Sequence, residues 1–375
     1  MGKGGGGLVP KTSRAPDFLL FLTVLMMLSI GLVMILSASE YSSLIHFNDS
    51  FHYFKRQLLW ALIGLAAMFL AMNQDYRKWR RWALPMLAAA FVLLILVLIP
   101  GIGIEAYGAR RWIGIGPVTM QPSEFVKLCL VVFTAYGLSR KGELVRHFSR
   151  GLLPFLVMLG AACGLILLQP NLGTAIILAG TIFVMLFAAG ARLSTLAGLG
   201  VLGLAGVGAA IAVAPYRLER LLAFLDPWQD PQGSGLQIIQ SLYALGSGGL
   251  FGTGLGQGKQ KFLYLPAQHT DFIFAVVGEE LGFIGAFLII GLFTVFLWRG
   301  LRIAVSAPDA FSSLLATGLT AGIVLQAIIN IGVATGSMPI TGITLPFISF
   351  GGNSLIFTLV GVGILLNISK YATGK

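Results

Sequence analysis

The chain has 375 residues, of which 57% are hydrophobic and only 10% are charged. A soluble domain carries roughly 25% charged residues, so this composition excludes an ordinary soluble fold. The formal net charge of +11 would suggest nucleic-acid binding in a soluble protein, but basic residues also orient membrane proteins, so we predict no nucleic-acid partner.

Residues 1–16 are low-complexity sequence with a glycine run at 4–7, and they predict a disordered cytoplasmic tail. Residues 17–371 consist mainly of apolar segments long enough to cross about 30 Å of hydrocarbon as helices of about 20 residues. The ten predicted spans lie near residues 17–39, 56–73, 82–100, 123–139, 151–168, 172–190, 193–214, 271–298, 310–335 and 345–368. The sequence therefore predicts an all-α integral membrane protein, a single polytopic domain with about ten transmembrane helices.

Basic residues indicate how these spans are oriented. Arginines and lysines follow the second, fourth, sixth and eighth predicted spans and flank both ends of the chain. Because cytoplasmic loops of membrane proteins are enriched in Lys and Arg, both termini are predicted to be cytoplasmic. Lys55 and Arg56, before the second span, are a local exception. By alternation, the extracytoplasmic face receives segments 101–122, 169–171, 215–270 and 336–344.

One extracytoplasmic segment, residues 215–270 between the seventh and eighth predicted helices, is much longer than the others. Long loops are usually functional or disordered. This one contains aromatic residues such as Trp228 and Tyr243, which disordered segments tend to lack, and weak helical spacing at 236–245. We expect it to fold onto the extracytoplasmic membrane surface.

The glycine-rich part of this loop, residues 246–258, is followed by Lys259 and Lys261. Glycines allow a close backbone approach to an anion, and lysines would neutralise a phosphate-bearing ligand. A flexible turn region without a ligand is an equally good interpretation of the glycines.

Asp271 follows this loop, where the eighth apolar segment begins, so its carboxylate is expected at the edge of the membrane. Partial desolvation there would raise its pKa towards the range of a general base, and nearby cations would lower it. From the pattern alone, a helix N-cap formed by Thr270 or Asp271 is the more common role.

Glu279 and Glu280 fall about two turns further along the same span, where ionisable side chains need partners. Lys127 can alternatively pair with Glu124, three residues earlier on one helix, in a structural ion pair. The candidate partners of the two later glutamates are Arg110, Arg111 and Lys127.

Polar and aromatic residues also cluster in the other extracytoplasmic segments. Arg110 and Arg111 suit a pyrophosphate, because the planar guanidinium matches its oxygens, while Trp112 is typical of an interfacial anchor. Asn330 and Ser349 add polar groups at the same face. The four histidines show no metal-ligand spacing, so no protein metal site is predicted.

Six ordered motifs carry a family resemblance. They are GARRW at 108–112 with QPSEFVK at 121–127, QPNLGT at 169–174, DPWQDPQGSGLQIIQS at 226–241, GLGQGKQKFLYLP at 254–266, HTDFIFAVVGEELG at 269–282 and NIGVATGSMPITGITLPFISFGGNS at 330–354. Together they resemble the SEDS family of cell-shape, division and sporulation proteins, which includes FtsW, RodA and SpoVE. ITGITLPF, SAPDAF and LLNISKY are most similar to the SpoVE and FtsW branch. Ala267, Asn171, Phe350 and Asn353 depart from the family pattern.

The resemblance implies a peptidoglycan glycosyltransferase that polymerises lipid II at the outer face of the bacterial cytoplasmic membrane, for division septum or spore cortex synthesis. It implies that Asp271, in the motif HTDF, is catalytic. The candidates for substrate binding are Arg110, Arg111, Trp112, Trp228, Lys259, Lys261 and His269. The candidates for support of the site are Glu124, Lys127, Glu279, Glu280, Asn330 and Ser349.

In the expected reaction, Asp271 removes the proton from the 4-hydroxyl of the acceptor sugar, which attacks the anomeric carbon of the donor with inversion. Undecaprenyl pyrophosphate leaves, and a divalent cation, Mg²⁺ or Mn²⁺, is a candidate cofactor between its phosphates. The resemblance also implies partners besides lipid II. These are a class B penicillin-binding protein with transpeptidase activity and other divisome or sporulation membrane proteins.

Two other functions remain open on the sequence. One is a flippase or transporter that moves lipid II across the bilayer, and the other is a non-catalytic scaffold for a penicillin-binding protein. A flippase needs ionisable groups along a path through the midplane, whereas the polar cluster here is predicted at one surface. A scaffold would tolerate substitution of Asp271.

Overall fold

The computed structural model describes residues 15–106, 108–115, 118–262 and 264–372. The predicted tail, residues 1–16, falls outside these ranges except for its last two residues. The described residues form twelve α-helices and one three-stranded sheet. The helices are α1 Phe18–Phe47, α2 His52–Asn73, α3 Arg77–Leu96, α4 Pro122–Lys141, α5 Leu153–Leu167, α6 Leu172–Ala188, α7 Leu193–Val213, α8 Pro215–Leu225, α9 Leu236–Gly248, α10 Ile273–Val305, α11 Ala310–Ala334 and α12 Gly352–Ser369.

Ten of these helices correspond one to one with the ten predicted spans. In the described part of the chain, eight helical segments are long and apolar enough to cross a membrane. The other two are α6, which is apolar but has only 17 residues, and α4, whose apolar run is interrupted by Glu124 and Lys127. The prediction of an all-α membrane fold is confirmed.

The helices differ strongly in how much protein surrounds them. The central helix is α11, which packs against α4, α6 and α10, while α12 packs along α2. At the other extreme, Leu196 is the one buried residue of α7 in the described chain. The outward side chains of α7 are mainly apolar, as contact with lipid requires, and its backbone polar groups are hydrogen-bonded within the helix.

Polar contacts place both ends of the domain at one face of the bundle. Asp17 caps α1, and its backbone N–H donates to Ser369 Oγ of α12 at 3.0 Å. Arg299, near the end of α10, forms an ion pair with Asp17. The backbone N–H of Tyr76, before α3, donates to Asn367 Oδ1 at 2.9 Å. We call this side the terminal face and the opposite side the loop face.

Two segments of the loop face contain structure that the sequence did not predict. Residues 101–122, predicted only as an extracytoplasmic segment, contain an antiparallel sheet of β1 Gly103–Ala106, β2 Ala109–Ile115 and β3 Val118–Met120. In the long segment 215–270, α8 begins directly at Pro215, a residue favoured in the first helical turn. The weak spacing at 236–245 does correspond to a helix, α9, which packs against α10 and α11.

The long helix α10 is interrupted at Gly282, which has φ +66° and ψ −165°. A glycine-rich segment crosses it there and forms backbone hydrogen bonds with the groups that the interruption leaves free. Thr253 N–H donates to Glu279 O at 2.9 Å, and Phe283 N–H donates to Gly249 O at 2.9 Å. Buried backbone groups without such partners would be costly inside a membrane. The crossing therefore allows a broken helix at membrane depth.

Gly252→Ala tests this crossing. Gly252 has φ +82°, and an added Cβ would lie 2.1 Å from Glu280 O, so both conformation and space forbid a side chain. We expect a loss of about 2 kcal/mol or more in unfolding free energy, followed as a lower thermal unfolding temperature in detergent. Gly246→Ala is the matched control, because its methyl group points into open space on α9, and it should stabilise by up to about 1 kcal/mol. Equal melting of the two variants would contradict the tight crossing.

Candidate active site

Asp271 lies in a tight turn immediately before α10. Ala267 has φ +56°, and its carbonyl accepts hydrogen bonds from the backbone N–H groups of Thr270, Asp271 and Phe272 at 3.1, 3.1 and 3.3 Å. The N-cap residue of α10 is Phe272, with no side-chain cap. The N-cap interpretation of Thr270 and Asp271 is therefore wrong, and the Asp271 carboxylate is left available for another role.

Two polar side chains from neighbouring elements hold the main chain at this turn. Asn330 on α11 donates through Nδ2 to Asp271 O at 2.8 Å and to Ile343 O at 2.7 Å. Ser349 Oγ donates to Thr270 O at 2.5 Å and accepts from the N–H of Leu345 at 2.7 Å. Both residues, predicted as supporting, contact the backbone on which Asp271 is carried.

Gln57 of α2 is a third supporting residue, and the sequence analysis missed it. It is buried, donates through Nε2 to Ser349 O at 3.2 Å and accepts from Gly351 N–H at 3.2 Å. The signal in the sequence was a polar residue, Gln57, that directly follows Lys55 and Arg56 in an otherwise apolar helix. It ties the 345–351 segment to α2.

The electrostatic environment of Asp271 balances burial against two cations. The side chain is partly buried, and desolvation raises the pKa of its carboxyl to about 6, while Arg220 and Arg111 act in the opposite direction. At neutral pH the group is therefore mostly ionised yet more basic than an exposed aspartate. This is the property that a general base requires.

The two neighbouring arginines of β2 point to different surroundings. Arg111 donates through Nε to Gln169 O at 2.9 Å and also bonds Pro170 O, and burial lowers the pKa of its guanidinium. Arg110 forms an exposed ion pair with Glu105 at 3.0 Å. Arg111 is the extra residue of a β-bulge, where the alternation of side chains along a strand is interrupted, so the two arginines are distinguished here by their contacts. The structure brings only Arg111 into the electrostatic environment of Asp271.

Helix α8 brings a second arginine, which the sequence analysis did not single out. Arg220 acts electrostatically on both Asp271 and Arg111. Its guanidinium lies 5.9 Å from the ring centroid of Tyr216, whose hydroxyl is 3.5 Å from Pro170 O. An amphipathic helix with basic residues at i and i+3, starting at a proline, was the signal that could have identified it.

The two glutamates of α10 bind the glycine-rich segment. Glu279 Oε1 accepts from the N–H groups of Lys259 and Gln260 at 2.7 and 3.3 Å. Glu280 accepts from Gly256 N–H at 3.1 Å and from Ser37 Oγ at 2.7 Å. These contacts connect α1, α10 and the 253–261 segment.

The charged partner of Glu280 is Lys261, whose Nζ lies 3.3 Å from Glu280 Oε1. The predicted partners Arg110, Arg111 and Lys127 are therefore wrong for this glutamate. Lys261 is only 3% exposed and also donates to Gly256 O at 2.6 Å, so its contacts lie within the protein, and its predicted contact with substrate stays a prediction. Two residues earlier, Lys259 is exposed, and its predicted role stays a prediction.

The predicted ion pair between Glu124 and Lys127 is present on α4, with Nζ 2.9 Å from Oε2. Lys127 also donates to Gln326 Oε1 at 2.7 Å, and Gln326 Nε2 donates to Thr344 O at 2.9 Å. This chain of contacts links α4 and α11 to the segment that contains Ser349. Beneath the pair lies a mostly apolar cavity of about 60 Å³ between α4, α6, α11 and α12.

The remaining predicted substrate ligands are aromatic. His269 packs against the rings of Tyr53 and Phe350 at 4.5 and 5.8 Å, and burial lowers its pKa to about 4, so it is neutral at pH 7. Trp228 is exposed and contacts Tyr243 edge-on at 6.0 Å. Trp112 is partly buried on β2. Their predicted contact with substrate stays a prediction.

The four departures from the family pattern have structural roles here. Asn171 caps α6 by accepting from Thr174 N–H at 3.2 Å, and Asn353 Nδ2 donates to Thr119 O at 2.8 Å. Phe350 packs on His269, and Ala267 forms the turn before Asp271. None of them displaces Asp271.

Comparison with known proteins gives the family. The model of the FtsW, RodA and SpoVE family, described as cell cycle proteins, matches residues 17–374, and the chain belongs to this family. It is 52% identical to stage V sporulation protein E of Bacillus subtilis strain 168 over 362 residues, 96% of this chain and 98% of that protein. It is 48% identical to the probable peptidoglycan glycosyltransferase FtsW of Trichlorobacter lovleyi over 353 residues, 94% and 93% of the two chains. The predicted family and its SpoVE and FtsW branch are confirmed.

A solved structure supports the fold. It comes from work on the structural coordination of polymerization and crosslinking by a peptidoglycan synthase complex. Its TM-score to this chain is 0.78 at 33% sequence identity, and the match covers 95% of this chain and 98% of that chain.

Glu280→Gln tests the contact between α10 and the glycine-rich segment. The substitution leaves the buried Lys261 charge without its partner, which should cost about 3–5 kcal/mol of unfolding free energy. Glu280→Gln/Lys261→Met removes both charges and should recover most of that loss in thermal unfolding in detergent. Lys259→Met, an exposed lysine of the same segment, is the control and should change stability by less than about 0.5 kcal/mol. A double variant as unstable as Glu280→Gln would contradict this interpretation of the ion pair.

Proposed function

We propose that this chain is a peptidoglycan glycosyltransferase that polymerises lipid II into glycan strands, for division septum or spore cortex synthesis. Its relatives support the activity, since one of them is named a probable peptidoglycan glycosyltransferase. The observation that carries the proposal is the environment of Asp271. Its carboxyl has a pKa raised to about 6 by burial and lies in the field of Arg111 and Arg220, on a turn held by α11 and the 345–351 segment.

In the proposed reaction, the Asp271 carboxylate accepts the proton of the acceptor sugar's 4-hydroxyl. The oxygen forms a bond to the anomeric carbon of the donor, and the bond from that carbon to the pyrophosphate oxygen breaks, with inversion. A carboxyl with a pKa near 6 is both ionised and moderately basic at neutral pH, which favours general base catalysis. The conjugate acid then releases its proton to solvent.

The leaving pyrophosphate gains negative charge, which cations at the site can stabilise. Arg111 and Arg220 are the proposed residues, because both act electrostatically on Asp271. Arg110 and Lys259 are exposed and remain proposed contacts for a substrate that approaches from the loop face. Trp112, Trp228 and His269 are proposed to bind the sugar or lipid portions.

The predicted divalent cation has limited support from the protein itself. Among the residues that the structure describes, no group of three or more His, Cys, Asp or Glu side chains could hold a metal ion. The two groups that act most strongly on the Asp271 carboxylate are arginines. These side chains do not fit a metal site built by the protein alone, and no step of the proposed reaction uses one. A role for Mg²⁺ or Mn²⁺ thus stays a proposal in which the substrate supplies the ligands.

We also propose that the terminal face is cytoplasmic and that Asp271 acts on the extracytoplasmic side. The arginines and lysines after α2 and α4 support this orientation. The proposed partners are a class B penicillin-binding protein and other divisome or sporulation membrane proteins. The similarity to a chain of a peptidoglycan synthase complex that couples polymerization and crosslinking supports a transpeptidase partner.

The flippase alternative receives less support from the same structure. The cavity among α4, α6, α11 and α12 has a volume of only about 60 Å³, enough for a few water molecules and far too small for a lipid-linked disaccharide. A scaffold function does not conflict with catalysis, since one chain can perform both. The two are separated by a substitution at Asp271.

Asp271→Ala and Asp271→Asn should reduce lipid II polymerisation by about 10²- to 10⁴-fold, the range of general base catalysis. The assay measures glycan strands from purified lipid II, with and without a cognate class B penicillin-binding protein. Glu219→Gln is the control, because it removes an exposed acid on α8 that forms no ion pair or side-chain hydrogen bond within the described residues, and it should retain wild-type activity. Thermal unfolding would verify that each variant is folded. Wild-type polymerisation by folded Asp271→Ala would overturn the proposed base and favour a scaffold.

A further inference from the structure

A basic cleft lies at the terminal face, away from Asp271, between the start of α3 and the end of α4. Its lining residues are Arg80, Arg81, Leu84, Tyr136 and Arg140, and its volume is about 300 Å³. Neither the family motifs nor the proposed reaction uses any of these residues. We call this feature the α3–α4 cleft.

The positions of these residues follow from helical spacing. Arg80, Arg81 and Leu84 share one face of the first two turns of α3, and Tyr136 and Arg140 are one turn apart at the end of α4. The two helices pack against each other. Three guanidinium groups therefore converge on one space where both helices reach the membrane surface.

The charges in the α3–α4 cleft are poorly neutralised. Arg81 has no hydrogen-bond or ion-pair partner in the described ranges of the chain. Arg140 donates to the neutral hydroxyl of Tyr136 at 2.6 Å and lies 5.2 Å from the centroid of its ring. Arg80 shares Asp309 at 3.5 Å with the hydroxyl of Tyr76. Among the described lining residues there is no carboxylate.

The cleft also includes one exposed apolar side chain. Leu84, which lines the cleft, is 57% exposed. A positive-inside signal depends on the number of basic residues in a loop and does not require them to converge on a cleft. Convergence of arginines next to an exposed leucine is the arrangement that suits a phosphate joined to acyl chains.

We propose that the α3–α4 cleft binds the phosphate headgroup of an anionic phospholipid in the leaflet at the terminal face. Guanidinium groups form paired, charge-assisted hydrogen bonds with phosphate oxygens, and the Tyr136 hydroxyl adds a polar group at the deeper end. Leu84 contacts the first methylene groups of the lipid. Basic pockets between membrane helices are typical sites for such headgroups.

The test uses the full-length protein, delipidated and placed in nanodiscs of phosphatidylcholine with a small fraction of phosphatidylglycerol. Native mass spectrometry then counts the phosphatidylglycerol that each protein retains after release. We expect retention of one phosphatidylglycerol by the wild type and roughly 10- to 30-fold weaker retention by Arg81→Gln/Arg140→Gln, from the loss of two arginines at an anionic lipid. Arg80 is left unchanged because its contact with Asp309 contributes to packing.

The matched control, Arg146→Gln/Arg150→Gln, removes two exposed arginines that lie outside the cleft in the α4–α5 connection. It should weaken retention by less than about threefold. Equal losses in the two double variants would overturn the proposal, because they would reflect general surface charge. An excess of inorganic phosphate separates the two sources of a phosphate group. Retention that survives it supports a lipid site, whereas full displacement would indicate a soluble phosphate ligand and overturn the lipid assignment.

Discussion

A membrane helix that breaks inside the bilayer must find partners for its free backbone groups, and the rest of this fold depends on how α10 does so. At Gly282 the helix is interrupted, and residues 249–254 supply hydrogen bonds to the carbonyls and amides on both sides. Glu279 and Glu280 extend this contact to the backbone of residues 256–260. The glycine-rich segment therefore serves mainly to complete α10, and only its exposed residues remain free for a ligand.

The anchored segment helps to determine where Asp271 lies, because it leads directly into the turn before α10. Asn330 and Ser349 fix that turn from two further elements, and Gln57 fixes Ser349 from a third. These contacts are made to the backbone, and the Asp271 carboxylate itself forms no ion pair within the described residues. Its basicity results from burial, opposed by Arg220 and Arg111. Rigid positioning combined with incomplete neutralisation is what a general base needs.

The features that were predictable from sequence depend on local pattern or on family motifs. The spans follow from hydropathy, and the Glu124–Lys127 pair follows from helical spacing. Asp271 was selected by the family resemblance, since an N-cap was the more common interpretation of its pattern. The partner of Glu280 was missed because Lys261 approaches it only after residues 256–261 fold back onto α10. The break at Gly282 was missed because one glycine within an apolar segment is common in membrane helices.

The central claim is that burial makes Asp271 the base, and the pH dependence of kcat/KM for lipid II polymerisation tests it most directly. Because the carboxyl must be ionised, the rate should be constant at neutral pH and fall as the pH drops through about 6, approaching tenfold per pH unit below it. Arg111→Gln removes a cation that lowers this pKa, so its acid limb should move to higher pH. A wild-type rate that stays constant down to about pH 4.5, well below a pKa of about 6, would contradict the account.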